Sequence, residues 1–170
     1  MVGVQQRRPE QRDGTEPFAN VLVDTLLMNI RIATSDEDIE ACYPVMQELR
    51  PHIVQARFLS QVRSQQNAGY RLAMLQAGDD IVAVAGFRIS ENLAWGRFLY
   101  VDDLVTAGMH RSRGNGAALL AWLKRLALAE GCAQLHLDSG MQRKDAHRFY
   151  EREGMTIAGL HFAQSIAPET

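Results

Sequence analysis

Arg111-Ser112-Arg113-Gly114-Asn115-Gly116 follows an extended apolar run and opens directly onto a long amphipathic segment. Two glycines within three residues allow a sharp turn and a close backbone approach to a ligand, since neither carries a Cβ and both tolerate positive φ. The loop amides and the first turn of the following helix, with its partial positive charge, can then converge on one anion such as a pyrophosphate. Arg111 and Arg113 add formal positive charge. No Gly-Lys-Ser/Thr follows Gly116, so the Lys and the magnesium-binding hydroxyl of a nucleoside-triphosphate loop are missing. A dinucleotide-binding turn requires a third glycine where this chain has Leu119.

The remaining pattern, Gln/Arg-x-x-Gly-x-Gly/Ala, is fulfilled by Arg111 to Gly116, and it resembles the acyl-CoA-binding motif of the GNAT superfamily of N-acetyltransferases. Two more segments join it in the family's order. Leu104-Val105-Thr106 resembles the fourth strand just ahead of the motif, and Ala146 to Met155 resembles its Ala-x-x-x-Tyr-x-x-x-Gly-Phe segment. The resemblance covers roughly residues 28 to 166. It implies acetyl-CoA as co-substrate and no metal. The backbone of Leu104, Val105 and Thr106 would hydrogen-bond the pantetheine arm, and Arg111, Ser112, Arg113, Gly114, Asn115, Gly116 and Ala117 would hold the pyrophosphate. In the family, the Tyr of the last segment donates a hydrogen bond or proton to the departing thiolate, which here assigns that role to Tyr150. One departure stands out: where family members often carry a cofactor-contacting Asn, this chain has Arg143.

Acetyl transfer to an aliphatic amine needs the amine unprotonated, which costs about 4 to 5 kcal/mol at pH 7. Asp102 and Asp103 are candidates for the base because they lie on the strand that should flank the acetyl group. Strand alternation sends them to opposite faces, with Asp102 sharing a face with Tyr100 and Leu104. Asp102 is therefore the favoured base and Asp103 a substrate-binding candidate; the plainer account of both is that they satisfy backbone or arginine groups. Trp95, Leu93 and Phe58 are candidates for the acceptor pocket, with core packing as the alternative. His136 and Asp138 share a strand face, but no Ser or Cys nucleophile accompanies them, and they are read as structural or peripheral.

The elements that must position these groups follow from periodicity and turn residues. Ile30 and Ile32 form a short first strand; Thr34-Ser35-Asp36-Glu37 caps a helix that ends at Leu49-Arg50-Pro51, and Val54 to Gln65 resumes as a second helix. Tyr70 to Gln76 and Ile81 to Ile89 read as a hairpin across Gly78-Asp79-Asp80, and Arg97 to Thr106 as the next strand, reached through the loop Glu91 to Gly96. Ala117 to Glu130 is helical with Gly131 at its C-terminal cap, Ala133 to Asp138 is a strand, Asp145 to Arg152 a helix and Ile157 to Ile166 a closing strand. The order β-α-α-β-β-β-α-β-α-β defines a single-domain α/β fold with a mixed sheet. It is also the element order of the GNAT fold.

A chain of 170 residues suits one domain with a substantial core. Its net charge of −2 and scattered Lys and Arg leave no electrostatic footprint for nucleic acid. No apolar run reaches the roughly 20 residues of a membrane span. Phe18 to Ile30 is broken by Asp24 and lacks a cleavage pattern, so a cytoplasmic location is expected. Cys42 and Cys132 stand in no metal-ligand spacing and are read as small apolar side chains. Residues 1–17 have the composition of a mobile tail, residues 1–27 are read as a mobile N-terminal extension, and the functional domain is expected to span 28–170. Two functions from different classes compete: acetyl transfer to a small-molecule or peptide amine by direct attack, and an acyl-CoA-binding regulatory module that has lost turnover. Pairing of such domains through their sheets makes a homodimer the expectation by analogy.

Overall fold

The structure, a computed structural model, describes residues 29–166, so the expected N-terminal extension lies outside the described residues. β1 (Asn29–Ile32) leads into α1 (Asp36–Ala41), α2 (Tyr43–Leu49) and α3 (Gln55–Gln66). β2 (Tyr70–Ala77), β3 (Asp80–Asn92) and β4 (Gly96–Thr106) follow as antiparallel neighbours. A short 3₁₀ turn (Gly108–His110), α4 (Asn115–Ala129), β5 (Gln134–Leu137) and α5 (Lys144–Arg152) complete the regular elements. The sheet runs β1-β2-β3-β4-β5, with only β4 and β5 parallel.

The sheet is covered on both faces. On one, Tyr43, Met46, Phe58 and Val62 from α2 and α3 pack on Tyr70, Leu72, Met74, Val84 and Val105. On the other, Leu119, Leu123 and Ala127 of α4 pack on Ala85, Phe87, Leu99 and Val101. The helical period seen in the sequence thus buries the stripe that faces the sheet. Gly131, at φ +73, follows the helix end, and the Cys132 amide closes back onto the Ala127 carbonyl at 2.8 Å.

Two expected elements differ. The single helix after β1 is split at Cys42: Pro44, in the first turn of α2, has no N–H to continue the ladder of α1, and the chain restarts there. The closing strand expected over 157–166 does not form. Those residues carry no regular structure, and Ile157, Leu160, Phe162 and Ile166 are between 75% and 93% exposed. Alternating apolar residues favour a strand only when a neighbouring edge supplies the hydrogen bonds.

Candidate functional site

β4 carries a bulge at its centre. Val101 pairs with Phe87 and Asp103 with the adjacent Gly86, so Asp102 is an extra residue with no opposite partner. An inserted residue cancels one step of alternation. Leu99 and Val101 face α4, whereas Asp102, Asp103 and Val105 all turn to the α2–α3 side, and Leu104 packs with the α4 side. The expected opposition of Asp102 and Asp103, and the shared face of Asp102 with Leu104, are therefore corrected: both carboxylates line one cleft of about 280 Å³. Its apolar wall is Met46, Ile53, Phe58 and Val62, so Phe58 does line it.

Each carboxylate is held by residues distant in the chain. Arg50 donates through Nε to Asp103 Oδ1 at 2.7 Å, and the Tyr70 hydroxyl donates to Asp103 Oδ2 at 3.1 Å. Arg88 Nε donates to Asp102 Oδ2 at 3.0 Å. Burial pushes the Asp102 carboxyl above its ordinary range, Arg88 opposes that shift, and Asp103 adds to it. Burial likewise raises the Tyr70 phenol, which stays a neutral donor. Sequence reasoning missed Arg50, Tyr70 and Arg88; they lie 53, 33 and 14 residues from their partners, beyond any local pattern.

Tyr70 reaches Asp103 only because residue 86 is glycine. A Cβ there would lie 2.0 Å from the Tyr70 hydroxyl oxygen and 2.5 Å from Cζ. Gly86→Ala is accordingly expected to displace the buried ring and cost about 1–3 kcal/mol of stability. A thermal melt unchanged from wild type would refute this.

Beyond Val101 and Leu137 the parallel pairing of β4 with β5 stops, while β4 continues to Thr106. Residues 103–106 keep their ladder with β3 but have no strand on the other edge among the described residues. Directly after them, Ser112 (φ 60) and Gly114 (φ 81) take left-handed backbone conformations, and Gly114 begins α4 with no side chain capping its amides. Such a helix start leaves N–H groups pointing outward. Asn115 is buried and ties the loop by donating Nδ2 to the His110 carbonyl at 3.0 Å. Gly116 lies close under the strand end and α5, where a Cβ would come within 3.3 Å of Thr106 Oγ1 and 3.6 Å of the Phe149 ring. Arg111 is also tied locally: its guanidinium bonds Glu48 and the Thr106 carbonyl, which leaves Nη1 without a partner among the described residues. Arg113 has no ion-pair partner among the described residues and keeps its charge for the loop.

Tyr150 sits on α5 beside Phe149, whose ring lies 5.2 Å away. Its hydroxyl has no hydrogen-bond partner among the described residues; burial raises the phenol and the nearby Arg143 charge opposes the rise. Ser139, just past the end of β5, is a further residue the sequence reading passed over, with a buried hydroxyl lacking any partner. Trp95 is placed elsewhere. It lies at the β3–β4 turn, stacked on His136 at 4.0 Å and edge-on to Phe98. It does not line the carboxylate cleft, and Leu93 beside it is fully exposed. Asp138 accepts from the Tyr100 hydroxyl, consistent with a structural role. Cys42 is buried, and burial pushes its thiol up to about 12, which removes it as a nucleophile.

A mixed sheet whose parallel edge pair ends at Leu137 while β4 runs on toward an uncapped helix start, with a carboxylate cleft on the opposite face, defines an acyl-transfer fold. The profile of the Acetyltransferase (GNAT) family matches residues 35–155, and the chain belongs to that family. It is 33% identical over 142 residues, 82% of this chain and 100% of the relative, to an uncharacterized N-acetyltransferase, YhdJ, of Bacillus subtilis. It is 29% identical over 101 residues to the aminoalkylphosphonate N-acetyltransferase of Salmonella typhimurium, covering 59% of this chain and 64% of that one. Among solved structures, the aminoglycoside N-acetyltransferase AAC(6')-Iy in complex with CoA shares the fold, with a TM-score of 0.73, 15% identity and coverage of 82% and 95%. The protein is an N-acetyltransferase, and the fold class expected from the element order holds. Among the described residues no helix is long and apolar enough to cross a membrane.

Proposed function

We propose that this enzyme moves an acetyl group from acetyl-CoA to the primary amine of a small molecule or peptide by direct attack, in the cytoplasm. The observation that carries the reading is the edge of β4 left open beyond the end of β5, leading into a positive-φ loop and an uncapped helix start. Those residues fit the cofactor: Leu104, Val105 and Thr106 offer backbone groups on an open edge, and Ser112 to Ala117 offer amides to a pyrophosphate. The orphaned Ser139 hydroxyl adds a donor just past the end of β5. Bound there, acetyl-CoA supplies an activated thioester carbonyl.

The chain's own residues supply the rest. Asp102, on the cleft face of β4, takes a proton from the acceptor amine, and Asp103, held by Arg50 and Tyr70, contacts the acceptor beside it. Tyr150 Oη keeps its proton and presents it to the leaving sulfur. No covalent enzyme intermediate is needed, in keeping with the inert Cys42 thiol. The Salmonella relative's named substrate class supports a small-molecule acceptor. The alternative of an inactive acyl-CoA-binding module is disfavoured by the family match and by retention of Tyr150. Acceptor-dependent thiol release from acetyl-CoA tests the reading; tight acetyl-CoA binding with no release for any amine would reverse it.

The exposed Ile157, Leu160, Phe162 and Ile166 support a homodimer that covers them. Light scattering should return twice the chain mass, and a monomer at micromolar concentration would end that proposal.

A further inference from the structure

The cleft over Asp102 and Asp103 has a charge pattern that selects among amines. Its two carboxylates are matched by two guanidiniums, Arg88 on Asp102 and Arg50 on Asp103. A polycationic acceptor therefore finds no surplus of negative charge there. The two arginines differ in what they have left to give. All three nitrogens of Arg88 are engaged: Nε on Asp102, Nη1 on the Ala68 carbonyl at 3.3 Å, and Nη2 on Gln65 Oε1 at 2.7 Å. Arg50 uses Nε on Asp103 and Nη2 on the Asp102 carbonyl at 3.0 Å, while Nη1 has no partner among the described residues. The Arg50 side chain is 43% exposed and lines the cleft, with exposed His52 at the same rim.

A cationic rim thus stands a few bonds from an anionic floor. The volume of about 280 Å³ falls just below the roughly 300–1,000 Å³ of pockets that enclose drug-sized ligands. We propose that the acceptor is a small amine that also carries an anionic group, a carboxylate or phosphonate, with its nitrogen at Asp102 and Asp103 and its anion on Arg50. This rests on the acetyl-transfer reading above. Arg50 is then a specificity residue, since a guanidinium presents N–H donors to carboxylate and phosphonate oxygens in charge-assisted pairs.

The test measures thiol release from acetyl-CoA with β-alanine, 2-aminoethylphosphonate, the neutral isostere β-alaninamide and the dication 1,3-diaminopropane. The better anionic amine should exceed the neutral and dicationic ones in kcat/KM by about 10- to 100-fold. The carboxylate and phosphonate arms identify which anion is preferred. In Arg50→Lys, which keeps a cation near Asp103, the ratio of anionic to neutral kcat/KM should fall about tenfold or more, chiefly through KM. A purely structural Arg50 would lower both amines together and leave that ratio unchanged, which overturns the proposal. Equal or better turnover of β-alaninamide or 1,3-diaminopropane by the wild type overturns it without any variant, and leaves the acetyl-transfer reading intact. Silence with every amine, aminoglycosides and peptides included, sinks both.

Discussion

Tyr150→Phe is expected to lower kcat for acetyl transfer by about 10²- to 10⁴-fold, the usual range for a lost general acid. The substitution deletes a hydroxyl that makes no hydrogen bond to any described residue, and it keeps the ring packed beside Phe149. Melting temperature should therefore stay close to wild type, which separates a chemical role from a structural one. Burial raises the Tyr150 phenol more than Arg143 lowers it. A raised phenol pKa keeps the proton on oxygen to higher pH, so no loss of activity from Tyr150 ionisation should occur up to about pH 10. The same shift makes full transfer to a thiolate less favourable than the roughly 2 kcal/mol uphill step between a free phenol and a free thiol. Tyr150 is accordingly expected to act by stabilising charge on sulfur through a hydrogen bond. Wild-type turnover in Tyr150→Phe, measured by thiol release under saturating amine, would remove the residue from the mechanism.

Asp102→Asn is the second large effect, again about 10²- to 10⁴-fold in kcat/KM if the carboxylate is the base. Burial raises the Asp102 carboxyl, against the opposing Arg88 charge. A base must be unprotonated to act, and a raised pKa moves its acidic limb to higher pH than an ordinary carboxylate would give. Below the amine pKa, log kcat/KM for wild type should rise with slope one, steepening to two once pH falls beneath the Asp102 value. In Asp102→Asn only the amine limb remains, with slope one throughout. Asn keeps a carbonyl oxygen for Arg88 Nε, so the ion pair becomes a neutral hydrogen bond and the fold is retained. A variant that lost stability but kept the steeper limb would assign Asp102 to holding Arg88 alone.

The loop and helix proposed to hold the cofactor were largely legible in the chain as local structure. Arg111 to Gly116 needs glycines where a strand hands over to a helix, and the structure places Gly114 at φ 81 at that junction. Tyr150 lies on the expected helix, and the hairpin of β2 and β3 turns at Gly78, at φ 62. Both signals are local: positive φ constrains one residue type, and amphipathic period repeats within a few turns.

The proposed acceptor side was not legible, because its geometry depends on register. Alternation along Tyr100 to Thr106 predicts opposite faces for Asp102 and Asp103, and nothing in those residues announces a bulge, which arises from how β3 lies alongside. Trp95 was a reasonable pocket candidate as an aromatic in a loop, yet β3 extends to Asn92 and carries it to the far end of β4. Ile157 to Ile166 has the alternation of a strand, but pairing needs an edge as well as a pattern.

By itself the sequence determined the class of fold, the glycine loop at a strand-to-helix junction and the tyrosine on the last helix, because each depends on residue type and short-range spacing. Only the tertiary structure decided that both carboxylates share one cleft, that Arg50, Tyr70 and Arg88 hold them, and that Gly86 leaves room for the Tyr70 ring. Those features join residues tens of positions apart, and it is the packing of helices on a bulged sheet that sets their distances and charges.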